Sequence, residues 1–165
     1  MSIRVIAQPP ILNWKNFQPV DDLGDDNAYT GFVFSLPIVN FLTVGGMITL
    51  PNTMITLRPK GCMVVKGSQT PALLKHEQGH YDIGYCVARV LAKDLEKLRE
   101  SSASDLQSAI NAAMSLHEDN AEAIRLSYDN ATQHGTDAAA QKSWNIMISK
   151  CKGDPSSTSL NGLDL

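Results

Sequence analysis

Between Pro71 and about Glu100 the apolar residues Leu73, Leu74, Ile83, Val87, Val90, Leu91, Leu95 and Leu98 recur at mostly three- and four-residue spacing. Residues three and four apart share a helical face, so this stripe predicts one long amphipathic helix. Thr70 is a good N-cap and Pro71 a good first helical residue, where the missing N–H of proline is not needed. A helix of that length needs a broad apolar partner, and the chain divides near Thr70 in a way that supplies one.

Before Thr70 the residues read as strands. Trp14, Phe17, Tyr29, Phe32, Phe34, Phe41, Val44, Ile48, Ile55, Val64 and Val65 are β-formers, and Pro and Gly punctuate them. Asp21 to Asp26 reads as a polar turn, Thr43 to Leu50 as a hairpin around Gly45-Gly46, and Met54 to Leu57 as a further strand. After the first helix, Ser101 to Ser104 breaks and recaps the chain. A second helix is expected from Asp105 to about Asn130, on the apolar set Leu106, Ile110, Ala113, Leu116, Ile124 and Leu126. Gly135 is a stop signal. A third helix is expected from Asp137 to about Lys150, carrying Trp144, Met147 and Ile148, and the Ser-, Gly-, Asp- and Asn-rich tail from Gly153 to Leu165 is expected to fray. The expected fold is therefore α+β, an N-terminal antiparallel β-sheet packed against a C-terminal bundle of about three helices. One domain spans 1–152, β-rich over 1–69 and helical over 70–152, with a flexible tail over 153–165.

Composition excludes several classes. With 43 % hydrophobic and 19 % charged residues in 165, the chain is not disordered. A net charge of −3 implies no strongly basic face, so no nucleic-acid partner is expected. Asn27 to Leu57 holds no Asp, Glu, Lys or Arg, but Ser35, Pro37, Asn40, Thr43, Gly45 and Gly46 interrupt it. Those breakers fit strands and turns, not a membrane span. Met1 to Pro10 lacks a basic start followed by a long apolar stretch, so either a cytoplasmic protein or a mature form without its leader is expected. Cys62, Cys86 and Cys151 are too few for a disulfide scaffold and lack close zinc-ligand spacing. In an exported protein, a Cys86–Cys151 bond would tie the first helix to the third; otherwise the three are ordinary half-buried thiols.

Chemistry enters with His76-Glu77-Gln78-Gly79-His80, a His-Glu-x-x-His pattern inside the first helix. Residues i and i+4 lie on one face, so both imidazoles can reach one zinc ion, and Glu77 can accept a proton from a water bound to it. A catalytic zinc takes three protein ligands and a water. The candidates for the third are His134, His117, Asp129 and Asp82, and His134 is favoured because it ends the second helix where the chain turns back. Asp82 lies about 200° around the helix from His80 and points away. Tyr128 is read either as an oxyanion donor or as an aromatic anchoring the second helix. Gly79, unusual inside a helix, suggests close approach of another backbone. Trp14 and Trp144 read as core anchors, and Arg89 as an ion-pair partner of Asp82. A strand near Phe41 to Leu50 is either a substrate-binding edge or, preferred, part of a sheet packed on the helices.

Several stretches together resemble a bacterial family of unknown function described as secreted zinc-dependent proteases. They are Leu12 to Phe17 with Ala28-Tyr29-Thr30; Leu73 to Ile83, with Ala88-Arg89-x-Leu91; and Tyr128-Asp129-x-x-Thr132-x-His134-Gly135, followed by Gln141 and Trp144-Asn145. The resemblance implies a zincin-like metallopeptidase with Zn2+ on His76 and His80, Glu77 as base, and a secreted or periplasmic location. It also strengthens His134 as the third ligand. The expected activity is hydrolysis of peptide bonds in a peptide or protein substrate. The rivals are a non-catalytic binding domain of the same fold and a zinc hydrolase of non-peptide substrates.

Overall fold

The structure is a computed structural model and describes residues 2–165. Its centre is α1 (Pro71–Lys97). The Thr70 hydroxyl accepts from the Leu73 amide at 3.1 Å, which satisfies one of the unpaired N–H groups at the helix start. Around α1 lie α2 (Ala103–Thr132), capped by Ser102, and α3 (Ala138–Gly153), capped by Asp137. All three helices stand where the apolar spacing places them.

The strands are β1 (Ile3–Ala7), β2 (Gln18–Val20), β3 (Ala28–Tyr29), β4 (Phe32–Ser35), β5 (Leu42–Val44), β6 (Met47–Thr49), β7 (Thr53–Pro59), β8 (Met63–Val65), β9 (Ser159–Leu160) and β10 (Leu163–Asp164). They form one sheet in the order β1-β7-β4, a second in the order β2-β8-β3, and two hairpins, β5–β6 and β9–β10. The α+β division is as expected. The sheets, however, are mixed and not antiparallel throughout. β1 runs parallel to β7, with Val5 opposite Ile55, and β2 runs parallel to β8. Parallel pairing needs a long connection, and the chain between β1 and β7 supplies it with the other strands. The hairpin at Gly45-Gly46 forms as read, with both glycines at positive φ, as a tight two-residue turn requires.

α1 is buried on most of its sides and builds the core. Tyr81, Ile83, Val87, Leu91 and Leu95 are buried against Leu57, Val64, Leu106 and Ile124, and the Tyr81 hydroxyl donates to the Leu57 carbonyl at 2.9 Å. Trp144 is buried against Tyr128, and Trp14 is half-buried, edge-on to Phe17.

Two expectations are corrected. The tail does not fray: Asn161 and Gly162, both at positive φ, turn β9 into β10, and Leu160 and Leu165 are buried. Two apolar residues flanking an Asn-Gly turn are enough to dock a short hairpin. Arg89 is structural, but its partners are carbonyls. It donates to Cys151 O and Lys152 O at 2.8 Å and to Asp154 O at 2.5 Å, closing the unpaired C-terminal end of α3. Lys93 donates to the next carbonyl along, that of Pro155. Asp82 pairs instead with Lys152 of α3 at 2.8 Å and accepts from Gln78. Among the described residues, no helix is long and apolar enough to cross a membrane.

Candidate metal centre

His76 and His80 lie one turn apart on α1, both buried, with their Nε2 atoms 3.2 Å from each other. Asp129, in the last turn of α2, brings its Oδ1 to 3.1 Å from His76 Nε2 and 2.8 Å from His80 Nε2. The three ligand atoms fall within 4.8 Å of one another. Asp129 keeps about a quarter of its side chain exposed, so the cluster opens to one side.

A hydrogen-bond network fixes the first imidazole. Gln141 of α3 donates through its amide nitrogen to the Tyr128 hydroxyl at 2.6 Å and to Asn145 Oδ1 at 2.9 Å, which leaves Oε1 to accept from His76 Nδ1 at 3.0 Å. With its proton on Nδ1, the ring turns Nε2 towards Asp129. Metal-binding histidines are commonly oriented by this kind of outer partner. His80 Nδ1 has no hydrogen-bond partner among the described residues.

The charges follow from this crowding. Burial is the largest single influence on His76 and works against ionising it, but the hydrogen bonds with Asp129 and Gln141 and the nearby Glu77 and Asp129 charges together outweigh it and raise the imidazole above its usual range. Burial pulls His80 down to about 4. Burial would raise Asp129, yet its hydrogen bonds to both imidazoles hold it well below the usual carboxylate range. Two imidazole nitrogens and a carboxylate oxygen, aimed at one point with a side left open, are a donor set that suits a divalent ion such as zinc.

Glu77 lies beside the cluster, 2 % exposed, and its Oε2 accepts from the Thr30 hydroxyl at 2.6 Å. Burial pushes this carboxyl up to about 7, partly offset by the Thr30 hydrogen bond and by His76. Thr30 is held in turn by Arg125 of α2, which donates to its carbonyl at 2.7 Å and lies over the Tyr29 and Phe32 rings. A narrow cleft joins these groups; Ala28, Tyr29 and Thr30 border it opposite His76, Glu77 and Asp129. The strand beside the site is thus β3, an edge strand, and not the Phe41 to Leu50 segment.

Of the residues read from the sequence, His76, Glu77 and His80 come together, and Asp129 joins them in place of His134. His134 sits in the left-handed turn that ends α2, half-exposed, with Nδ1 2.7 Å from Asp26 Oδ1 at the cleft rim. The reason is steric. Gly135 passes so close to His76 that a Cβ there would lie 2.8 Å from His76 Cγ, and the turn that permits this aims His134 outward. His117 is buried elsewhere, 3.1 Å from Asp94. Tyr128 is fully buried; it stacks on the His76 ring at 4.7 Å and donates to the His76 carbonyl at 3.2 Å, the placement of an aromatic that anchors α2. The sequence does not point to Thr30 or Arg125 as site residues, since a lone threonine just past the end of β3 carries no chemical signal of its own.

Tyr128 also explains Gly79, since a Cβ at that position would collide with the tyrosine hydroxyl. The close neighbour is a ring and not a backbone. Alanine would gain about 1 kcal/mol of helix propensity. Overpacking a site closed on all sides costs about 1–3 kcal/mol, and here it also displaces the ring that supports His76. Gly79→Ala is therefore expected to lower the melting temperature in a thermal unfolding scan. A rise would mean that Tyr128 does not close on α1.

A family described as a bacterial protein of unknown function (DUF922) matches residues 44–135, more than half of the chain. The matched span takes in His76-Glu77-Gln78-Gly79-His80 and the Tyr128 to Gly135 stretch. No curated protein and no solved structure matches.

Proposed function

The chain belongs to the bacterial DUF922 family, and we propose that it is a zinc-dependent metallopeptidase of zincin-like architecture. One observation carries the reading: two imidazole nitrogens and the Asp129 carboxylate converge on one point next to a buried glutamate. A purely structural ion has no use for that glutamate.

His76, His80 and Asp129 would hold the ion. Zinc bound there supplies Lewis acidity, bringing the pKa of water to about 7 and polarising a carbonyl oxygen. The chain's own groups do the rest. Gln141 and Tyr128 keep the His76 ring in one orientation and tautomer. Thr30 anchors Oε2 of Glu77 and so sets where its other oxygen meets the attacking water. Glu77 takes the proton from that water and delivers it to the departing amine. A carboxyl raised towards neutrality by burial is suited to both transfers. An extended peptide can lie along β3, whose outer edge borders the cleft. A secreted or periplasmic setting belongs to the same proposal.

The test is cleavage of a mixed peptide library by the zinc-loaded protein, read by mass spectrometry. Cleavage is expected, with loss on chelation and return on adding zinc. Hydrolysis of small esters or amides without any peptide cleavage would make it a hydrolase of another substrate class. Failure to take up zinc would leave a binding domain.

A further inference from the structure

The peptidase reading makes no use of Cys86 and Cys151. Cys86 lies on the face of α1 that meets α3, and Cys151 in the last turn of α3; both are buried. Their thiols are neighbours across the contact between α1 and α3. The backbones are brought together independently of that contact. Arg89, one turn beyond Cys86 on α1, donates to the Cys151 carbonyl itself at 2.8 Å. Cys62 is apart from the pair, its thiol donating to the Gly31 carbonyl at 3.3 Å.

We propose that Cys86 and Cys151 close to an intrachain disulfide by exchange with an external disulfide, clamping α3 onto α1. Cys151 reacts first. It sits in the last turn of α3, whereas Cys86 lies in the middle of α1. The Arg89 guanidinium, which donates to the Cys151 carbonyl, stands near and favours its thiolate, while burial keeps Cys86 protonated. The Cys151 thiolate attacks one sulfur of the oxidant, forms a mixed disulfide and releases one thiolate. Cys86 then gives up its proton and attacks the Cys151 sulfur, and the second thiolate leaves. Two protein thiols are oxidised, the external disulfide is reduced to two thiols, and the two protons end on those thiols. The clamp bears on the metal centre because α3 carries Gln141, which orients His76.

The experiment is thiol counting on the denatured full-length protein after equilibration with oxidised or reduced glutathione, with peptide mapping. The count is expected to fall from three to one under oxidising conditions, with Cys62 the surviving thiol and one linked Cys86–Cys151 peptide pair. Cys86→Ala is expected to trap glutathione on Cys151. The oxidised wild type is expected to melt several degrees above the reduced form, a difference that Cys86→Ala and Cys151→Ala both abolish. Three free thiols after oxidation, a glutathione adduct on wild-type Cys151 without closure, or a link through Cys62 would each overturn the pairing. Closure with no gain in melting temperature would overturn the clamp.

Discussion

Asp129→Asn, like His76→Ala and His80→Ala, is expected to lose its zinc on dialysis, while His134→Ala retains about one equivalent. Removing even an outer partner of a metal ligand commonly weakens binding about 10–100-fold, and losing one of three ligands should exceed that. The asparagine keeps the size of Asp129 and an oxygen near both imidazoles but removes the anion. His134 meets Asp26 at the cleft rim, so its removal breaks only a half-exposed contact there. The check is metal content by mass spectrometry alongside circular dichroism, which separates loss of the site from loss of the fold. Zinc kept by Asp129→Asn and lost by His134→Ala would restore His134 as the third ligand. It would also require the turn from Gln133 to Thr136 to swing inward when metal binds.

The helical half of the fold was legible because each helix carries its own period and its own cap. Thr70-Pro71 and the stripe from Leu73 to Leu98 specify α1 with no knowledge of what it packs on. Strand pairing is different. Nothing local in Ile3 to Ala7 says that it will lie parallel to Thr53–Pro59, because that choice is made by long-range packing on α1. The same distinction runs through the site. His76, Glu77 and His80 are related by helical spacing, so the sequence places them together. The third ligand comes from another helix, and choosing between Asp129 and His134 turns on how α2 ends. That ending depends on Gly135 fitting against His76, a contact between residues far apart in the chain. Asp129 lies one turn inside the helix end and faces α1; His134, past the end in left-handed backbone, faces away. Tyr128 could be read as donor or anchor from sequence, and its complete burial against His76 comes from packing between helices that no local pattern encodes. The tail shows how little apolar surface is needed: an Asn-Gly turn with Leu160 and Leu165 near it outweighs a polar composition.

Glu77→Gln is expected to keep zinc, lower peptide hydrolysis by about 10²–10⁴-fold, and at the same time stabilise the metal-free protein at neutral pH and above. The first two effects follow from geometry. The amide oxygen can still accept from the Thr30 hydroxyl, so the side chain stays in place, but it no longer takes a proton from water. The third follows from burial. In the folded chain the Glu77 carboxyl is raised from an ordinary 4.5 to about 7. The folded state therefore holds that proton more tightly than the unfolded one, and its stability falls as pH rises through this interval. Above it, the buried carboxylate costs on the order of 3 kcal/mol, which a neutral glutamine does not. Paired melting curves of metal-free wild type and Glu77→Gln should nearly coincide at pH 4.5 and separate progressively towards pH 8, with the variant higher. Such a trade of stability for reactivity is characteristic of a catalytic group. Full hydrolysis by Glu77→Gln would remove Glu77 as the base. Coincident melting curves at every pH would mean that the carboxylate is solvated in solution, and with that the case for a base tuned by burial would fail.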